Sequence, residues 1–246
     1  MKIAAIYDIH GNLPALEAVL IDIKRLDVDQ IVVGGDVVLG PMSCECLDKL
    51  LSIEIPVQFI KGNCEVAVLA EMSGGFKGKL PESVLEDIRW TAQQLLPRHE
   101  EEMKKWPMTI SFEMEGLGSV LFCHATPDNE NDNFTKLTHE EMLLPVFNKV
   151  KEDIVVCGHT HMQFDRTIGK TRVLNAGSVG MPFGKPGAYW LLLHTLVEFC
   201  FVDYDIEKAV DQIKKTEYPH SHGFGENSVK NPPSEEVMLK VFGGLN

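Results

Sequence analysis

The feature that most constrains this chain is the alternation of short β-branched runs with helical stretches. Lys2–Tyr7, Ile31–Val33 and Val57–Ile60 read as buried strands. Between the first two, Leu16, Val19, Leu20, Ile23 and Leu26 recur at helical spacing behind Pro14. Cys46–Leu51 lies in a second helical stretch. Such a rhythm implies a mostly parallel sheet covered by helices on both faces. Pro81–Lys105 interrupts it with a segment that reads as two helices, a helical cap insertion over residues 81–107. Met108–Phe112 and Ser119–Phe122 follow as strands, then a helix at Thr138–Val150 and a buried strand at Ile154–Cys157. Gln163–Ile168 and Arg172–Asn175 flank Gly169-Lys170 and suit a hairpin, as do Ala188–His194 and Val197–Tyr204. After a helix near Ile206–Lys214, residues 218–246 begin with a stretch rich in Pro, Gly, His and Asn and read as a loose C-terminal tail. With no internal repeat or linker, residues 1–246 are expected to form one α/β domain.

The polar residues that carry chemistry share a placement. Asp8 and His10 follow the first strand, Asp36 the second and Asn63 the third. His124 follows Ser119–Phe122, while His159 and His161 follow Ile154–Cys157 through Gly158. Ligands of open α/β sheets bind at the carboxyl ends of strands, so these groups are directed at one crevice. Taken singly each has an ordinary reading: Gly34-Gly35-Asp36 as a turn, Asn63 as a helix cap, His124 as a satisfied core histidine. Gly158-His159-Thr160-His161 is stronger, since two close imidazoles after a buried strand have few structural reasons. Five strand ends repeating the pattern decide for a site.

The donors are imidazoles, carboxylates and one amide, with no thiolate. This suits Mn, Fe, Co, Ni or Zn better than the all-oxygen cage of Ca. Asp8, His10, Asp36, Asn63, His124, His159 and His161 are too many for one ion with an open position, but they suit two ions sharing an aspartate. Two such ions about 3.5–4 Å apart clamp the attacking and leaving oxygens of a phosphoryl displacement and bring a bridging water to hydroxide at neutral pH.

The net charge of -13 argues against polymeric nucleic acid as a partner, because phosphate contacts need clustered Lys and Arg. A small phosphorylated substrate, such as a nucleotide, stays compatible, since bound cations dominate the local field. No stretch reaches the roughly 20 apolar residues that span a bilayer. Lacking also the apolar core of a signal peptide, the chain is expected in the cytoplasm, away from membranes, with its six cysteines reduced. Val237, Leu239, Val241 and Phe242 either pack against a partner, giving a homo-oligomer, or fold back on their own domain.

Asp8-Ile9-His10-Gly11-Asn12, Gly35-Asp36, Gly62-Asn63, His124 and Gly158-His159-Thr160-His161 resemble, in motif order, the calcineurin-like metallophosphoesterase superfamily. The opening motif and Asn175-Ala176-Gly177-Ser178-Val179-Gly180-Met181-Pro182 are similar to its bacterial branch of small phosphodiesterases and diadenosine tetraphosphatase-like proteins. The resemblance implies a four-layer α/β/β/α sandwich of two mixed sheets flanked by helices. It implies one metal on Asp8, His10, Asp36 and His161, and another on Asp36, Asn63, His124 and His159. Asp36, Asn63 and His124 are then the residues nearest the chemistry. Asn12 orients the first loop and, with Cys64, is a candidate to border the substrate. Asn175 and Ser178 shape the site from the hairpin side, and Lys61, Lys185 and Arg98 are candidates to meet a phosphate.

The chain departs from the family at Cys64, where many members carry a histidine that helps protonate the leaving group. A thiol of ordinary pKa is a poor substitute acid. The expectation is therefore a leaving group that departs unprotonated, such as a nucleoside phosphate released from a polyphosphate chain. Tyr7 stands where Ser is common before the first Asp.

Overall fold

The computed structural model describes residues 1–243. β1 (Ile3–Ile6) leads into α1 (Leu13–Arg25), which starts where the Asn12 side chain accepts the Ala15 N–H and closes with Lys24 and Arg25 near its negative end. β2 (Gln30–Val33), α2 (Ser43–Ser52), β3 (Val57–Phe59) and α3 (Asn63–Met72) continue the alternation. α4 (Glu82–Gln94) and α5 (Pro97–Lys105) precede β4 (Thr109–Met114) and β5 (Gly118–Cys123). Next come α6 (Glu140–Phe147), β6 (Ile154–Cys157), β7 (Phe164–Ile168) and β8 (Thr171–Asn175). β9 (Ala188–Leu193), β10 (Val197–Val202) and α7 (Ile206–Ile213) complete the main body.

The strands form two five-stranded sheets, ordered β10-β9-β1-β2-β3 and β4-β5-β6-β8-β7. The period-2 alternation of β1 divides its side chains between two cores. Ile3, Ala5 and Tyr7 join Val32, Val120, Phe122, Val156 and Leu191 between the sheets. Ala4 and Ile6 face the other way, onto Leu16, Val19 and Ile23 of α1. Phe147 of α6 packs with Leu121, Val155 and Val173 on the outer face of the second sheet. The result is the α/β/β/α layering.

The sheets are mixed, as the family resemblance implies, where the strand–helix rhythm alone suggested a mostly parallel sheet. β1–β2, β2–β3, β5–β6 and β6–β8 pair parallel; β1–β9, β9–β10, β4–β5 and β7–β8 pair antiparallel. Strands joined by a short turn can pair only antiparallel, so each hairpin adds an antiparallel edge to the parallel centre.

The C-terminal segment is also not loose within the described residues. A short helix α8 (Ser221–Gly223), a π-helical turn (Phe224–Lys230) and α9 (Glu235–Phe242) follow Tyr218. Tyr218, Phe224 and Val229 are buried against Val210, Ile213 and Trp90. Pro, Gly and His dominate the local signal, but three apolar anchors suffice to dock the segment onto α7 and α4. Phe242 folds back toward Phe183, while Val237 and Val241 stay exposed. Residues 244–246 lie outside the described residues. Among the described residues, no helix is long and apolar enough to cross a membrane, and all six cysteines are free.

Candidate metal centre

The seven residues singled out in the sequence stand at the carboxyl ends of β1, β2, β3, β5 and β6. Asn63 is the first residue of α3, a helix the sequence reading missed because its apolar residues do not gather on one face. Asp8, His10, Asp36, His159 and His161 adopt left-handed backbone conformations, with φ of 54°, 47°, 54°, 65° and 56°. Such conformations cost of order 1–3 kcal/mol each and persist only where surroundings enforce them. Here the loops are fastened to one another. Asp8 N–H donates to Gly35 O at 3.1 Å, His10 N–H to Asp36 O at 2.9 Å and Gly180 N–H to Asp8 O at 2.9 Å.

This strain aims the donor atoms inward. His10 Nε2 and His161 Nε2 approach to 3.2 Å, and His161 Nε2 lies 3.4 Å from Asp8 Oδ1. On the other side His124 Nε2 lies 3.4 Å from Asp36 Oδ2 and 2.9 Å from Asn63 Oδ1. Asp36 Oδ2 is also 3.8 Å from His10 Nε2 and so stands between the two halves. Asp8, His10 and His161 form one group able to hold a cation; Asp36, His124 and His159 form another. The ring orientations are set from behind. His124 Nδ1 contacts Gly34 O at 2.9 Å and His161 Nδ1 contacts Met181 O at 2.6 Å. A carbonyl only accepts, so both Nδ1 atoms carry the proton and the two Nε2 atoms are left to face the centre.

The residues fit a metal on one further observation. Asp8 Oδ1 and His159 Nε2 are buried without a hydrogen-bond partner. Buried polar atoms are nearly always paired, and the mixed nitrogen and oxygen set around these two is one that transition ions favour.

Without metal, charges and protons share the site. Burial opposes ionisation of Asp8 and Asp36, but His161 beside the first and His124 beside the second hold both carboxyls below their ordinary range. Burial lowers His10 and His159 to about 4, helped by the neighbouring imidazoles. Burial also opposes charge on His124, yet Asp36 raises it to about 10, and Asp8 raises His161. His124 thus faces Asp36 as a protonated partner in the metal-free protein.

Three residues that build the site escaped the sequence reading or were misread. Glu65, fully buried in the first turn of α3, accepts the N–H groups of Asp36, Val37, Val38 and Gly62 at 2.8–3.2 Å. It ties the second and third loops together; its spacing from Asn63 was visible, its partners were not. Tyr7 is buried between the sheets, with its hydroxyl donating to Val156 O at 3.1 Å. Its ring occupies the space beside Gly34 and Gly158, which accounts for a large residue before Asp8. Cys64 is buried too, and its thiol donates to Asp36 Oδ2 at 3.1 Å. It holds the aspartate.

Asn12 is 0% exposed, and its amide donates to Gly180 O at 2.9 Å. Ser178 supports the first loop, donating to Asp8 O at 2.7 Å, and Asn175 donates to Gly158 O at 2.6 Å. The candidate phosphate contacts are occupied elsewhere. Arg98 pairs with Asp48, Lys61 donates to Lys104 O, and Lys185 sits over the Phe201 ring. Of the two helices read as a cap, α4 borders a cleft beside His10 through Val84 and Asp87, whereas His99 of α5 turns to Asp48 on α2.

Packing is tight at Gly62. A Cβ there would lie 2.1 Å from Asp36 Oδ1 and 2.9 Å from His124 Cε1. Gly62→Ala is expected to displace Asp36 and lower metal affinity roughly 10- to 100-fold, as losses of groups that support ligands do. Calorimetric titration of the stripped variant with Mn checks this; wild-type affinity would mean that the loop relaxes freely.

The chain matches the model of the Calcineurin-like phosphoesterase superfamily domain over residues 1–196. It is 29% identical over 237 residues to the uncharacterised protein MJ0912 of Methanocaldococcus jannaschii, spanning 88% of this chain and 93% of that protein. A metallophosphoesterase crystal structure from Sphaerobacter thermophilus is 25% identical with a TM-score of 0.69, covering 90% of this chain and 97% of its own. Protein PH1004 of Pyrococcus horikoshii, 20% identical, superposes with a TM-score of 0.76 over 99% of this chain and 98% of its own, and shares the fold.

Proposed function

Because this chain belongs to the calcineurin-like phosphoesterase superfamily, we propose that it is a dinuclear metal-dependent hydrolase of a phosphodiester or a nucleotide phosphoanhydride. A diadenosine tetraphosphate is one substrate of the second class. The observation that carries the reading is the pair of orphaned buried atoms, Asp8 Oδ1 and His159 Nε2, each within a cluster of ligand-type side chains. Asp8, His10, Asp36 and His161 would hold one ion, and Asp36, Asn63, His124 and His159 the other. When bound, Mn, Fe, Zn, Ni or Co ions supply Lewis-acid polarisation of the phosphoryl oxygens and a hydroxide nucleophile at neutral pH. The protein's part is to fix the donors. Gly34 O and Met181 O orient two imidazoles, Glu65 and Cys64 hold Asp36, and Ser178 holds the Asp8 loop.

The test is metal-stripped protein reloaded with Mn and assayed on bis-p-nitrophenyl phosphate, p-nitrophenyl phosphate and diadenosine tetraphosphate. Metal-dependent turnover of the diester or the anhydride is the expected result. Preference for the monoester would make it a phosphomonoesterase of small metabolites. Two bound metals with no turnover of any of the three would favour a non-catalytic scaffold of the same fold.

Protons compete with metal at this site. His124 must lose the proton it holds up to about pH 10, so metal affinity should rise with pH from about 6.5, by up to ~10-fold per unit for each proton displaced. The metal-free fold behaves oppositely. An imidazole raised from 6.5 to about 10 stabilises the fold fully below 6.5 and loses that contribution as pH rises through 10. The lowered Asp8 and Asp36 contribute above their ordinary carboxyl value and lose it at acid pH. Thermal midpoints of the stripped protein should therefore decline from neutral pH toward 10. Midpoints that rise over that range would contradict the charged-histidine description.

A further inference from the structure

The metal-donor cluster holds no free proton donor for a leaving group. Cys64 is spent on Asp36, and burial pushes its thiol well above the ordinary range. A histidine pair stands just outside. Beside the centre is a cleft of about 250 Å³ lined by His10 and Met181, by Val84 and Asp87 of α4, and by Tyr218 and His220 of the C-terminal segment. His220 Nδ1 lies 2.8 Å from Asp87 Oδ1, so Nδ1–H donates to that carboxylate, and Nε2–H, 3.7 Å from Glu86 Oε2, is the second donor of the ring. Tyr218, in the same cleft as Asp87, packs edge-on against Trp90 at 5.3 Å. The His220 backbone is held as well, its carbonyl accepting the Phe224 N–H at 2.8 Å. The His220 side chain is 42% exposed and Asp87 only 16%, the arrangement of an accessible imidazole backed by a sheltered carboxylate.

Resting on the phosphoesterase reading above, we propose that His220 is the general acid that protonates the leaving group, with Asp87 as its positioning residue. In the step, a water oxygen forms the new P–O bond. The bond to the leaving oxygen breaks with its electron pair remaining on that oxygen, and the Nε2 proton of His220 closes it as an alcohol or phenol. The proton of the attacking water passes to solvent, and solvent returns one to His220. On this reading a phosphodiester with a poor leaving group is the substrate class. The absence of histidine at position 64 then no longer restricts the enzyme to leaving groups that depart unprotonated.

The groups against His220 are Asp87 and Glu86 from α4, and Tyr218 and His10 line the same cleft. The hydrogen bond to Asp87, with the charges of Asp87 and Glu86, holds the imidazole above its ordinary range. Asp87 and His220 lie on different elements 133 positions apart, which is why the pair was invisible in the sequence.

The test compares wild type, His220→Ala, His220→Gln and Asp87→Asn, all loaded with Mn, on methyl aryl phosphates whose leaving groups run from p-nitrophenol to phenol. With an acid in place, His220→Ala should lose ~10²-fold on the phenol ester and far less on the p-nitrophenol ester. Its pH profile should lose the alkaline limb, and Asp87→Asn should move that limb to lower pH. Independently of turnover, the His220 ring followed by NMR in the metal-free protein should titrate lower in Asp87→Asn. An equal loss on every leaving group would make the pair a structural tie between the C-terminal segment and α4, overturning the proposal, as would no loss on any. A wild type inactive on the whole series, activated ester included, would overturn the phosphoesterase reading first.

Discussion

Asp36→Asn is expected to lower metal-dependent turnover by roughly 10³-fold or more, a loss of ~4 kcal/mol of transition-state stabilisation. Its carboxylate is the donor nearest both halves of the site, 3.4 Å from His124 Nε2 and 3.8 Å from His10 Nε2. The amide removes the charge both ions would share. It also sets an N–H₂ group where either the backbone N–H or the thiol of Cys64 now donates, at 2.9 and 3.1 Å. His159→Ala is the informative companion. Its Nε2 has no partner in the protein, so its removal costs the metal-free fold little, while binding to one half of the site weakens. Metal content by plasma emission, beside turnover, separates the two: Asp36→Asn should affect both ions and His159→Ala chiefly one. An Asp36→Asn protein that keeps two ions and wild-type turnover would remove the basis for a shared aspartate.

Glu65→Gln is expected to destabilise the metal-free protein by ~3 kcal/mol or more, although Glu65 is not a ligand. Four backbone N–H groups converge on its two oxygens, at 2.8 Å for Asp36, Val37 and Gly62 and 3.2 Å for Val38. An ionised carboxylate only accepts and so can serve all four. Glutamine keeps one accepting oxygen and turns its amide N–H₂ against two donors, leaving buried groups unpaired. Burial and the nearby Asp36 push the Glu65 carboxyl up to about 7, against the pull of these N–H groups, so the pair of loops is held at some electrostatic cost. Urea unfolding of the stripped protein measures the change. A shift below about 1 kcal/mol would show that the loops hold their shape without this anchor.

The strand ends were legible because period and punctuation are local. β1, β2, β3, β5 and β6 each announce themselves as β-branched runs closed by Gly, Asp or His. Their burial follows from the need to cover both faces of a sheet between helices. The donor types were legible for the same reason: a histidine or aspartate after a buried run has few structural tasks. α3 was hidden because its side chains are buried on more than one face, against the α4 layer and under the metal site, which removes the one-sided periodicity of a surface helix. The C-terminal segment was hidden because its order rests on Tyr218, Phe224 and Val229 finding α4 and α7, contacts that no local pattern encodes.

By itself, then, the sequence determined the alternation of strands and helices, the five loops and the seven candidate donors on them, since each follows from residue type and spacing along a few consecutive positions; the sandwich came from the motifs' family resemblance. Only the tertiary structure decided how those loops serve one site. The left-handed backbones at Asp8, His10, Asp36, His159 and His161 are unfavourable locally and are held by hydrogen bonds between loops distant in sequence. The tertiary structure likewise set Glu65 beneath two loops, turned Cys64 toward Asp36 and brought His220 to Asp87 across 133 positions of chain. Those pairings depend on which surfaces meet when the two sheets and their helices pack, and a linear pattern carries no such distance.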